Sequence, residues 1–234
     1  MVEADGSGGQ RRVLYGRRSA GRLRGYRKGL IEQLLPQVSV ELPAQGLLDP
    51  HTLFAEPVNS VQLEIGFGGG EHLSAQAEAH PNVGFIGVEP FVTGAARMLS
   101  EIDRKSLGNV RLLIDDARLL LRSLAPASIE RVFVLFPDPW PKARHHKRRI
   151  VNPDTLNEIS RILQPHGVLR MATDHVEYGR WMLRHALAEP ALRWTAKSAP
   201  DWTVRPKDQP QTRYERKGLA AGRPAVFLEF VRAG

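Results

Sequence analysis

From residue 61 onward, short apolar runs alternate with longer segments of helical periodicity, and this rhythm leaves the chain few architectures. Residues 61–65, 84–88, 110–114, 131–136 and 167–173 read as strands rich in β-branched and aliphatic residues. Helices are predicted up to about His80, over 92–107, over 117–124, over 153–163 with Pro153 in the favoured first turn, and over 176–188. Residues 192–195 and 225–231 add two strands with a polar loop between them, and residues 36–57 read as loop with short elements only. Strands alternating with helices imply an α/β class, with a doubly wound, mainly parallel sheet. At 234 residues the chain can bury one good core. The expected division is a basic extension over 1–35 and a catalytic-type domain over 36–234.

The stretch from Val132 to Arg149 is the least ordinary part of the chain. An apolar run, Val132-Phe133-Val134-Leu135-Phe136, meets three prolines in five positions, Pro137, Pro139 and Pro141. Each proline fixes φ and removes a donor, so neither a helix nor a central strand can continue. Asp138 and Trp140 are thereby expected on a stiff, extended turn at a strand's carboxyl end, where open α/β sheets bind ligands. Lys142, Arg144, Lys147, Arg148 and Arg149 follow with no acid among them. An acid and an aromatic running into a basic stretch suggest a base pocket beside a phosphate track.

Charge is placed unevenly as well. Arg11, Arg12, Arg17, Arg18, Arg22, Arg24, Arg27 and Lys28 lie together without an acidic residue, and the remaining Lys and Arg balance the 25 Asp and Glu. The formal charge of +8 thus equals the charge of this one segment, an asymmetry that favours a nucleic-acid partner over a passive tail or a targeting peptide. Leu23, Tyr26, Leu30 and Leu34 recur at helical spacing inside it, so part of it is predicted to dock as a helix, whereas the Gly/Ser-rich residues 1–10 are predicted to be disordered. Cysteine is absent, no apolar run is long enough to span a bilayer, and no signal-peptide core is visible. The expectation is a cytoplasmic protein without a membrane partner.

Glu64-Ile65-Gly66-Phe67-Gly68-Gly69-Gly70 joins the first strand to a helix, and Glu89 ends the next strand 19 positions later. Glycines let the backbone approach a ligand, and a strand-end carboxylate can take both hydroxyls of a ribose. A nucleoside-containing cofactor follows. Glu64 would be unwelcome beside a pyrophosphate but suits a ligand with ammonium and sulfonium groups, so S-adenosyl-L-methionine fits better than NAD. Asp116, after the third strand, either reaches an adenine amino group or caps the next helix. Asp174 either serves the site or caps the helix after it. Thr212 and Glu215 also match a capping box, yet Gly218, Gly222 and Pro224 leave little room for a helix, which favours a site. Adjacent His145 and His146 face different ways, and no metal is expected. Trp181, Trp194 and Trp202 are read as packing residues and Trp140 as partly exposed.

Three motifs together, Pro137 to Lys142, Arg144-His145-x-Lys147-Arg148-Arg149 and Thr212-Arg213-Tyr214-Glu215, resemble the bacterial tRNA (guanine-N7-)-methyltransferase family. The resemblance runs from about Leu63 to the end, with Ala143 and His146 departing from the usual residues. It implies a Rossmann-like class I methyltransferase fold with a mainly parallel seven-stranded sheet and helices on both faces. It also implies S-adenosyl-L-methionine as methyl donor and tRNA as substrate, in a monomer or homodimer without metal. By position, Glu64, Gly66, Gly68, Glu89, Asp116 and Asp138 would hold or face the cofactor, with Asp138 catalytic. Lys142, Asp174, Thr212, Arg213, Tyr214 and Glu215 would meet the substrate. Arg144, His145, His146, Lys147, Arg148 and Arg149 would meet RNA. Rival readings are an amine-directed nucleic-acid methyltransferase, a non-catalytic RNA-binding protein and an NAD-dependent oxidoreductase.

Overall fold

A computed structural model describes residues 23–234. The arginines at 11, 12, 17, 18 and 22, and the expectation for residues 1–10, lie outside the described residues. The strands are β1 (Ser60–Ile65), β2 (Val83–Val88), β3 (Val110–Leu113), β4 (Ile129–Leu135), β5 (Leu163–Thr173), β6 (Leu192–Trp194) and β7 (Val226–Arg232). They form one seven-stranded sheet in the order β3-β2-β1-β4-β5-β7-β6. β1 to β5 pair in parallel, and β7 is antiparallel to both β5 and β6.

The helices are α1 (Tyr26–Gln33), α2 (Leu35–Val38), α3 (Glu71–Ala79), α4 (Val92–Lys105), α5 (Ala117–Ser123), α6 (Pro153–Ile162), α7 (Val176–Leu187), α8 (Pro200–Thr203) and α9 (Arg213–Ala220). α4 shows why such segments dock. Ala95, Met98, Leu99 and Ile102 are buried at a spacing that makes one apolar stripe, and Arg104 and Lys105 complement the dipole in its last turn. α6 begins with a complete capping box between Asn152 and Thr155. Because helices cover both faces, the central strands are apolar on both. Val132 and Val134 join the larger core with Leu156, Met171 and Tyr178, whereas Phe133 and Leu135 meet Ala172 and Phe227 on the other side.

One segment departs from the sequence expectations and a second meets them. The polar loop between β6 and β7 contains α8 and α9. Gly218 lies inside α9, where a Cβ would stand 2.8 Å from the Asp174 carboxylate, so this glycine permits close packing and does not end the helix. The second segment lies at the amino-terminal side. Leu30, Leu34 and Val38 pack into a core with Met98 and Leu99 of α4, and the Tyr26 hydroxyl donates to Asp103. The helix expected around Tyr26, Leu30 and Leu34 therefore forms and docks against α4.

Candidate active site

β1, β2 and β3 run outward in one direction from the sheet centre, and the chain returns to the other side of β1 to make β4. At that reversal the carboxyl ends of neighbouring strands leave a crevice. A cleft of about 510 Å³ opens there, a volume that suits a nucleoside-sized ligand. Glu64, Gly66, Gly68, Glu89, Asp116, Asp138, Arg148, Thr212, Arg213 and Tyr214 all line it.

The floor is the loop between β1 and α3. Gly68 adopts φ 54°, and the Tyr214 ring passes 3.5 Å from where its Cβ would be. A Cβ on Gly94 would meet the Gly68 carbonyl at 2.3 Å, so α4 can press against the loop only through glycine. Glu89 ties the loop to α4: its carboxylate accepts from Gly68 N–H and from Phe91 N–H, each at 3.0 Å. Burial pushes the Glu89 carboxyl above the usual range. Those two hydrogen bonds oppose the shift, and the neighbouring Asp138 and Glu64 charges reinforce it. Glu64 is buried and meets His72 Nδ1 at 2.7 Å. His72, in the first turn of α3, packs edge-on to Phe133 and its Nε2 has no partner among the described residues. The sequence reading missed this pair, although an acid eight residues before a histidine across a glycine turn is a visible signal.

Asp116 caps a helix, one of its two expected roles, at a place where it also faces the cleft. Its carboxylate caps α5 by accepting from Arg118 N–H at 3.0 Å, and it also lines the cleft. Asp138 is exposed on the proline loop and lines the cleft. Among the described residues its carboxylate makes no hydrogen bond or ion pair, so it does not pin the turn. The loop is not simply extended, because Phe136 and Trp140 lie at φ 51° and 42°. These left-handed residues flank Asp138, and such backbone strain clusters at functional loops. Trp140 is half-buried, with Arg148 stacked 4.9 Å from its ring.

The basic run forms a 3₁₀ helix, Ala143–Arg148, rather than a uniform track. Lys142, Arg144 and Lys147 are exposed on it and stand outside the cleft. His145 packs edge-on to Trp140 and His146 to Trp181. Burial and the surrounding Arg148, Arg144, Lys142 and Lys147 push His145 below the usual histidine range. Arg149 corrects the expectation for this run. It is 3% exposed, donates from Nε to the Pro139 carbonyl at 2.9 Å and stacks over Tyr178 and Trp181, so it braces the proline loop from inside and is not presented to RNA.

Two residues expected to meet the substrate stand away from the cleft. Asp174 does not line the cleft and does not cap α7. It pairs with Arg223 at 2.9 Å, and the cap is His175. Glu215 is buried against Arg205 at 3.2 Å, away from the cleft, while Thr212 caps α9 by accepting from Glu215 N–H. One half of the capping box is therefore present. Arg213 and Tyr214 do face the cleft, because the segment before them is strapped to the sheet. Asp208 accepts from Arg170 at 2.8 Å and Arg131 at 3.0 Å, its carbonyl accepts from Gln76 at 2.6 Å, and Glu71 accepts from Arg213 N–H at 2.6 Å. Burial raises the Asp208 carboxyl, but its two arginine partners outweigh that and hold it below the usual range. Among the described residues no cluster suited to a metal occurs, and no helix is long and apolar enough to cross a membrane.

A parallel sheet reversing at β1 and β4, a glycine loop, and acids at the ends of successive strands define a Rossmann-like methyltransferase. Solved structures share the fold. An rRNA methylase from Streptococcus thermophilus matches with a TM-score of 0.51 at 11% identity, over 75% of this chain and 87% of that one. A precorrin-6y C5,15-methyltransferase from Geobacter metallireducens matches with a TM-score of 0.51 at 12% identity, over 77% and 83%. The family model described as "Putative methyltransferase" matches residues 58–228. The tRNA (guanine-N(7)-)-methyltransferase of Rhodospirillum rubrum is 48% identical over 93% of this chain and 87% of its own length. That of Azorhizobium caulinodans is 46% identical over 94% and 95%. The chain belongs to the tRNA (guanine-N(7)-)-methyltransferase family.

Proposed function

We propose that this enzyme transfers the methyl group of S-adenosyl-L-methionine to N7 of a guanine in tRNA, in the cytoplasm. The observation that carries the reading is the position of Asp138, a carboxylate with no bonded partner among the described residues, on the loop that joins the acid-lined cleft to the basic 3₁₀ helix. The cleft fits the cofactor. Glu89 keeps lone pairs for ribose hydroxyls beyond the two N–H groups it already accepts from, and Asp116 and Glu64 line the same cleft, the first suited to an adenine amino group and the second to cationic groups. When bound, S-adenosyl-L-methionine supplies a methyl group activated by its sulfonium.

Guanine N7 carries an in-plane lone pair and no proton, so its methylation calls for no general base. What the protein contributes is position and charge. The ring becomes cationic as N7 is methylated, and Asp138 opposes that charge. A carboxylate also accepts from the N1–H and N2–H edge of guanine, which adenine does not offer. Trp140, held by Arg148, offers a face to a base, and Tyr214 with Arg213 closes the cleft from α9. Lys142, Arg144 and Lys147 stand exposed beside the cleft for phosphates. The test is incubation with unmodified tRNA and the cofactor, then digestion and quantification of nucleosides. N7-methylguanosine is the expected product, and a methylated exocyclic amine would overturn the reading.

A further inference from the structure

Trp181 of α7 is ringed by more basic side chains than packing requires. Its Nε1 donates to the Val151 carbonyl at 2.7 Å, which fixes the indole. Arg149 and Arg184 both stand over the ring, at 4.6 and 5.3 Å, and His146 and His185 meet it edge-on at 5.2 and 4.3 Å. Among the described residues, none of these four basic side chains has a carboxylate partner in hydrogen bond or ion pair. Glu177, the acid on the same helix, is tied to Arg180 at 2.6 Å and reaches Arg149 only through its field. Crowding is felt within the cluster: burial first, then Arg184 and Arg149, push His185 below its usual range.

We propose that α7 makes a second contact with the RNA backbone, carrying the RNA surface on from the 3₁₀ helix, with Arg184 as the exposed phosphate ligand and the buried Arg149 adding charge from behind the indole. The inference rests on the reading of the substrate as tRNA. A guanidinium laid on an indole is held flat and keeps its N–H edge free, the geometry that suits phosphate oxygens. Arg149 and Arg184 share one indole with no carboxylate bonded to either among the described residues, a surplus that an anion relieves, and the position of the pair says which anion. His146 belongs to the 3₁₀ helix and to the indole at once, and Arg149 follows directly on Arg148, which lines the cleft. Basic side chains thus continue from the cleft to α7, as a chain of phosphates would need and a single free phosphate would not.

The experiment uses the full chain and measures tRNA affinity across a salt series, with cofactor affinity measured alongside, for Arg184→Ala, Arg184→Lys and Arg184→Glu. Arg122→Ala, at the far end of α5 from the cleft, controls for net charge. Arg184→Ala is expected to weaken tRNA binding about three- to tenfold and to lower the log–log salt slope by about 0.7–0.9, the share of one phosphate contact. Arg184→Glu should weaken it further, Arg184→Lys should keep the slope, and cofactor affinity should not move. Wild-type affinity and slope in the Ala and Glu variants would overturn the proposal, as would an equal loss in Arg122→Ala. If the wild-type protein neither binds nor methylates tRNA, the substrate reading falls and takes this one with it.

Discussion

Single carboxylates decide most of the chemistry here, and they differ in what surrounds them. Glu89 has a raised carboxyl because burial disfavours its charge. Only its ionised form accepts from both ribose hydroxyls, so cofactor affinity should begin to fall at a higher pH on acidification than for an ordinary glutamate. Stability moves the other way: a raised acid costs folding while ionised, and that cost is relieved as pH falls through its folded-state pKa. Titration calorimetry and thermal melts over the same pH range would show opposite trends. Glu89→Ala should weaken cofactor binding by about 2–3 kcal/mol, the loss of two charge-assisted hydrogen bonds, and should also loosen the Gly68 loop by removing its acceptor. Unchanged affinity in a folded variant would reject the assignment. Asp138 has no structural partner to lose among the described residues, so Asp138→Asn should keep cofactor affinity and lose about 10²–10³ in rate. Single-turnover methylation of tRNA at saturating cofactor measures this, and a near wild-type rate would leave the carboxylate without a catalytic part.

At the scale of elements, the proline loop and the strap before α9 are both held from behind. Arg149 braces the first through the Pro139 carbonyl and two aromatic rings. Arg149→Ala should therefore cost about 2 kcal/mol of stability, the worth of a desolvated cation–π contact, before any effect on RNA. Chemical denaturation gives the number, and a stable variant with weakened tRNA binding would restore Arg149 to the RNA surface. Asp208 holds the strap through Arg170 and Arg131. Asp208→Ala should raise KM for tRNA without changing cofactor affinity, since Thr212, Arg213 and Tyr214 would lose their anchor. Parallel changes in both would mean that the strap belongs to the cofactor site.

For the whole molecule, the uneven charge separates binding from folding. Removing residues 1–22 takes five arginines and none of the described contacts, so tRNA affinity and its salt slope should drop while melting temperature and cofactor affinity hold. Extending the deletion to residue 30 removes the buried Leu30 and the Tyr26 bond to Asp103, and that protein should be less stable as well. If both truncations bind tRNA like the full chain, the basic segment is a passive tail.

The sequence by itself determined the parallel sheet, its strands to within a few residues, and the clustering of Glu64, Glu89, Asp116 and Asp138 at one edge. These follow from local rules: apolar periodicity sets each element, and parallel crossovers force strand ends to the same side. The tertiary structure alone decided which charged residues face outward. Arg148 and Arg149 are neighbours of one type, yet one lines the cleft and the other lies beneath the proline loop. Asp174, Glu215 and Asp208 carry the same charge, but the first two are used in packing and the third straps the wall of the site. No local pattern separates such cases, because side-chain burial and salt-bridge partners come from residues distant in sequence. His72 and Glu64 differ from these, because only eight residues separate them and the glycine turn brings them together; the spacing was legible in the sequence, and the contact distance needed the fold.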